Sequence, residues 1–118
     1  MAIERPIERY GTTQRYSDVC AHENTIYLVE TPQTLDSNAA TQTREVLAGV
    51  EKLLEQAGSD KTRLLLVTIY LRDIDDLIAV NAVWDRWIPH GTAPARVCVE
   101  ARLAHPDFLI EVAVVAAR

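Results

Sequence analysis

The sequence predicts an α+β fold with two helices on one face of a mixed sheet, in the order β-β-β-α-β-α-β-β. Three observations predict it. Apolar residues recur at the three-and-four spacing of a helix in two segments, 38–57 and 76–88. Around these segments stand short runs rich in β-formers, separated by turn residues. The chain has 118 residues, of which 48% are hydrophobic and 25% charged, the composition of one globular domain spanning 1–118.

The elements follow in order. Residues 3–9 alternate loosely and read as a short edge strand, where Pro6 is tolerated. Residues 16–21 and 25–30 flank His22-Glu23-Asn24, a hairpin signal. In 38–57, Thr43, Val46, Leu47, Val50, Leu53, Leu54 and Ala57 share one helical face. Asp36 or Ser37 can cap that helix, and Gly58 can take the left-handed stop conformation. The run 64–71, Leu-Leu-Leu-Val-Thr-Ile-Tyr-Leu, is too short to span a membrane and reads as a buried central strand. A second helix runs from Asp76 to about Ile88, with Leu77, Val80, Trp84, Trp87 and Ile88 on its apolar face and Pro89 and Gly91 behind it. Strands over 95–103 and 109–116 complete the chain. Two helices cover one face of such a sheet and leave the other bare, and a second copy of the chain is the cheapest cover.

Several function classes are excluded or disfavoured. The 17 acidic and 12 basic residues give a net charge of −5, which argues against a dedicated duplex nucleic-acid binder but leaves room for a local basic patch. Cys20 and Cys98 are too few for a disulfide framework, and the charged N-terminus has no signal-peptide run, so a cytoplasmic protein with reduced thiols is expected. No apolar stretch is long enough for a membrane helix. The glycines form neither a P-loop nor a dinucleotide fingerprint, no Gly-x-Ser-x-Gly elbow occurs, and no Cys or His pair has metal-ligand spacing. The expected chemistry therefore uses side chains alone, with no metal and no cofactor.

Five residues could carry it. Segment 95–103 alternates, with Arg96, Cys98, Glu100 and Arg102 on one face and Ala95, Val97, Val99, Ala101 and Leu103 on the other. Arg96 follows Pro94-Ala95 at the strand start, and its planar fork suits a carboxylate; the alternative is an ion pair with a neighbouring Glu. Glu111 is the one charge in an apolar strand and suits proton transfer to or from water; the alternative is a pair with Arg102 or Arg96, or a solvent-facing position. Cys98 shares the face of Arg96 and is either a nucleophile or a small buried filler. Asn81 falls between inward-packing helix positions, so its amide needs a partner. Tyr16, beside Arg15, walls a pocket or an interface.

Together these residues resemble a known family. Pro94-Ala95-Arg96-x-Cys98-Val99-Glu100, then Ala101-Arg102-Leu103 and Ile110-Glu111-Val112, resemble the C-terminal signature of the RidA (YjgF, RutC-like) deaminases. Val80-Asn81-Ala82 with Trp84 resembles that family's second helix, and Arg72-Asp73-Ile74-Asp75-Asp76 its strand-to-helix turn. Arg15-Tyr16-Ser17-Asp18 and Asn24-Thr25-Ile26-Tyr27 are similar to the early strands of its YoaB-like branch. The resemblance implies the chorismate-mutase-like fold and a homotrimer with clefts between subunits. It also implies hydrolysis of reactive enamines and imines, such as 2-aminoacrylate, to 2-keto acids and ammonia, without metal or cofactor. By the same resemblance, Arg96 holds the substrate carboxylate and Glu111 positions water, while Tyr16, Asn81 and Cys98 shape the pocket.

One departure stands out. Where the family has a Ser-Gly or Thr-Gly pair at the end of its third strand, this chain has Val29-Glu30. Glu30 brings bulk and negative charge to the expected substrate-binding region. It could pair with Arg96, or it could select a cationic or larger substrate. Three other readings stand beside the deaminase: a non-catalytic module binding a small keto or amino acid, an RNA-directed activity, and a chorismate-mutase-like isomerase. The acidic balance weighs against the second, and Glu30 against the third.

Overall fold

A computed structural model describes residues 5–118 and has the predicted architecture. Its elements are β1 (Glu8–Tyr10), β2 (Val19–His22), β3 (Thr25–Glu30), α1 (Ala39–Gln56), β4 (Leu64–Leu71), α2 (Leu77–Trp87), β5 (Ala95–Glu100) and β6 (Ile110–Ala117). The six strands form one sheet in the order β1-β2-β3-β6-β4-β5. The last strand, β6, inserts antiparallel between β3 and β4, so β3-α1-β4 is a βαβ unit split by the C-terminus. β4-α2-β5 is an ordinary parallel crossover.

The period of each strand decides what it buries. Ile26 and Leu28, then Val67, Ile69 and Leu71, then Ile110, Val112, Val114 and Ala116 point to the helices and are buried. They meet Val46, Leu47, Val50 and Leu54 of α1, and Val80 and Trp84 of α2. Burial of each such side chain stabilises the fold by about 1.5–3 kcal/mol relative to exposure. The opposite face carries Tyr27, Val29, Leu66, Val97 and Val99, all exposed. The apolar run of β4 is therefore covered on one side only, and the sheet has the bare face that the sequence predicts.

Beyond one-residue differences at element ends, three strands and one helix cap depart from expectation. The first strand is Glu8–Tyr10 rather than 3–9, of which residues 3 and 4 lie outside the described segment. The second begins at Val19 rather than residue 16, because 11–18 folds into a turn of its own. Asn38, not Asp36 or Ser37, caps α1: its Oδ1 accepts from Thr41 N at 2.9 Å. The strand expected over 95–103 stops at Glu100. Ala101 N donates to Leu71 O at 2.8 Å in the last ladder bond, and beyond it β4 has already turned away at Arg72-Asp73. At the other end of α1, Gly58 takes φ +87° as expected. Gly58 N donates to Glu55 O and Ser59 N to Leu54 O, which satisfies two terminal carbonyls.

Candidate functional site

The candidate residues form two groups, one around Arg96 on the helix side of the sheet and one around Glu111 on the other; Glu30 borders the second at the end of β3, although its register with Val112 points it to the helices. Arg96 pairs in register with Val67, and Cys98 with Ile69, so both face the helices. Glu111 pairs with Tyr70, which in turn pairs with Val99, so Glu111 faces the other way. Within one chain, Arg96 and Glu111 do not meet.

The Arg96 group lies between β5 and α2. Arg96 Nη2 donates to Asn81 Oδ1 at 2.7 Å, which gives the Asn81 amide the partner it needs. The guanidinium carbon lies 5.0 Å from the Trp84 ring centroid, within cation–π range. Trp84 packs in turn against Trp87 at 5.5 Å between centroids. The other terminal nitrogen, Nη1, is shielded from solvent and has no partner among the described residues. A buried guanidinium N–H without an acceptor costs roughly 1–3 kcal/mol or more, so this fork is oriented and half unused. Cys98 is half-buried against the core cluster.

The second group lines a cleft of about 440 Å³ that brings together Tyr16, Asp18, Val29, Glu30, Phe108 and Glu111. The loop carrying Tyr16 is built locally. Thr13 Oγ1 accepts from the backbone N–H groups of Arg15 and Tyr16, each at 3.2 Å, and Thr13 N donates to Tyr16 O at 2.7 Å. Gly11 opens the loop at φ +63°, and a Cβ there would lie 2.0 Å from Asp18 Oδ2, so only glycine fits. Tyr16 stands 62% exposed at the cleft mouth, available to a ligand or a second subunit.

The loop before Glu111 is pinned by two residues that the sequence reading missed. Arg72 donates through Nε to Phe108 O at 2.9 Å and through Nη2 to His105 O at 2.8 Å. Gln42, fully buried on α1, donates to Asp107 O at 3.0 Å and Thr34 O at 3.2 Å, and its Oε1 accepts from Leu109 N at 2.8 Å. A polar residue four positions before Val46, on the inward face of a helix, is the signal that could have found Gln42.

Glu30 makes no ion pair with Arg96 among the described residues. Its Oε1 accepts from Thr31 N at 3.1 Å, and the carboxylate lies over Gly49 of α1. Burial raises its proton affinity above that of an ordinary glutamate; the Thr31 N–H opposes this and the charge of Asp18 adds to it. A cavity of about 530 Å³ between α1 and α2 contains none of the candidate residues. Among the described residues, no three His, Cys, Asp or Glu side chains cluster as metal ligands would, and no helix is long and apolar enough to cross a membrane.

The sequence profile of the family described as Endoribonuclease L-PSP matches residues 6–118. The chain belongs to that family, known also as RidA, YjgF or RutC. RutC family protein YoaB of Escherichia coli is 41% identical over 111 residues, covering 94% of this chain and 97% of that protein. A RutC family member from Acinetobacter baylyi, named 3-aminoacrylate deaminase RutC, is 42% identical over 79 residues, covering 67% of this chain and 62% of that protein. The crystal structure of NMB1025, a YjgF family member from Neisseria meningitidis, superposes with a TM-score of 0.93 at 42% identity, covering 97% of this chain and 96% of that one. The mixed six-stranded sheet with two helices on one face is thus the YjgF fold.

Proposed function

We propose that this protein is a cytoplasmic imine and enamine deaminase that hydrolyses reactive 2-imino acids to 2-keto acids and ammonia. The observation that carries the reading is the guanidinium of Arg96, held by Asn81 and Trp84 with one buried N–H group unpaired. A carboxylate is the acceptor that such a fork suits, bound through two parallel N–H···O bonds. The relative named 3-aminoacrylate deaminase supports the reaction class.

The catalytic unit in this reading is a homotrimer. Arg96 and Glu111 occupy opposite faces of one sheet, so a site that uses both draws them from two copies. The exposed face carrying Tyr27, Val29, Leu66, Val97 and Val99 is the surface on which copies pack. Burying it assembles Arg96 of one copy beside the Tyr16–Glu111 cleft of the next. The carboxylate of the imino acid binds Arg96. Glu111 takes a proton from water as its oxygen attacks the C=N carbon and passes that proton to the nitrogen; it then takes the hydroxyl proton of the resulting carbinolamine and passes it to the departing amine. Ammonia leaves as the carbonyl forms. Cys98 packs behind Arg96, and Tyr16 closes the mouth.

RNA cleavage, named in the description of the family profile, is the weaker reading. A net charge of −5 and a cleft lined by Asp18 and Glu111 repel a phosphate backbone. The test is a coupled assay in which an amino-acid oxidase generates imines in the presence of semicarbazide. Slower semicarbazone formation in the presence of this protein, because the free imine is hydrolysed before it is trapped, is the expected result, and Arg96→Ala should abolish the effect. No effect on any imine across a side-chain panel overturns the proposal and turns attention to ligand binding without turnover.

A further inference from the structure

Gly49 sits in the middle of the 18-residue helix α1, a position where glycine makes no turn and is the poorest choice apart from proline. Its missing side chain makes room for Glu30. A Cβ at position 49 would lie 2.5 Å from Glu30 Oε2, 2.8 Å from Cδ and 3.0 Å from Cγ. The end of Glu30 occupies space that any other residue at 49 would fill. Glu30 also borders the Tyr16–Glu111 cleft, so it stands between the notch in α1 and the site.

We propose that Gly49 is a specificity-positioning residue: by seating the Glu30 carboxylate in α1, it keeps a negative charge out of the space where an anionic substrate binds. The inference rests on the reading of the cleft as an imino-acid site. It explains how the chain tolerates glutamate there. Asp18 and Glu111 already line the cleft, and a third carboxylate projecting into it would repel the substrate that Arg96 attracts. The notch half-buries Glu30, and burial disfavours its charged form. A carboxylate expelled from the notch therefore gains solvation by swinging into the open cleft. The group that must yield to a Cβ is the end of a flexible side chain, so α1 keeps its course when alanine replaces Gly49.

The test compares wild type, Gly49→Ala and Gly49→Ala/Glu30→Gln on oxidase-generated imines. Gly49→Ala is expected to raise KM about tenfold through like-charge repulsion, with kcat within about twofold of wild type. Glu30→Gln, of nearly equal volume and no charge, is expected to restore KM in the double variant. An unchanged KM, or a raised KM that glutamine does not restore, overturns the inference. A crystal structure of Gly49→Ala gives a readout that needs no turnover. The Glu30 carboxylate should stand in the cleft beside Tyr16; a carboxylate still lying over residue 49 overturns the inference. Should the wild type hydrolyse no imine, the deaminase reading fails, and that crystal structure alone decides the role of Gly49.

Discussion

Arg96 gives one half of its guanidinium to Asn81 and leaves the other half unpaired: Nη2 donates to Asn81 Oδ1 at 2.7 Å, while Nη1 is buried without an acceptor. In the proposed reaction Asn81 orients the fork and Nη1 takes the substrate carboxylate. Arg96→Ala should lower kcat/KM by about a hundredfold, the value of a charge-assisted pair lost from a shielded site. Asn81→Ala should cost less, since the guanidinium keeps its seat on Trp84. Steady-state kinetics on refolded, oligomer-checked variants measure both.

In the proposed reaction Glu111 is the proton acceptor, and Glu111→Gln removes that role while keeping the shape of the cleft. Such a change should lower kcat by roughly 10²- to 10⁴-fold, the range of general-base catalysis, with KM little altered. A loss confined to KM would assign Glu111 to binding instead.

Because Arg96 and Glu111 face opposite sides of the sheet, two inactive variants should rescue each other. Co-expressing Arg96→Ala with Glu111→Gln should regenerate intact sites wherever a copy with Arg96 meets a copy with Glu111. Random assembly of equal amounts restores about a quarter of wild-type activity per site. A site built within one chain would stay inactive in every mixture.

Gln42 closes a buried junction between the 31–38 and 104–109 loops through both ends of its amide. Gln42→Ala strands Leu109 N and Asp107 O away from water and should destabilise the chain by about 2–4 kcal/mol. Urea unfolding, with the slope held constant, reads that loss.

Glu30 adds a pH dependence with a definite sign. Its folded-state pKa lies above the ordinary carboxylate value because of burial, so the folded chain binds more protons than the unfolded one across that window. The stability tied to the protonated form is fully present below the ordinary glutamate pKa of 4.5, and it is lost as pH rises through the raised value. Glu30→Gln should therefore be more stable than wild type at pH 7, with the gap narrowing in acid. Thermal melts of both across pH 4–7 check it, and a gap that widens in acid contradicts it.

Much of this molecule was legible in its sequence, for identifiable reasons. The two helices declared themselves because one apolar stripe at period 3.6 is hard to produce otherwise. The strands did so because alternation and β-formers coincide with turn residues. Even the bare sheet face followed, since two helices cannot cover both sides. The family was readable because Pro94-Ala95-Arg96-x-Cys98-Val99-Glu100 and Ile110-Glu111-Val112 resemble its C-terminal signature.

What the sequence could not supply was the relation between elements. Alternation fixes which residues share a face within β5 and within β6, but not how the two strands align. That depends on β4 lying between them, pairing Val67 with Arg96 on one side and Tyr70 with Glu111 on the other. The end of β5 at Glu100 was equally out of reach, because a strand ends where its partner leaves and Leu71 is 29 positions away in the chain. Glu30 shows the same limit. Its charge suggested Arg96 as a partner, yet its carboxylate rests over Gly49, a residue whose contribution is an absent side chain. The chain's local periods encode its elements and the apolar faces of its helices, and the order of its motif residues carries the resemblance to the family. Only the tertiary structure decided which face each candidate residue takes and where the Glu30 carboxylate is seated, since register and empty space arise from packing between distant segments.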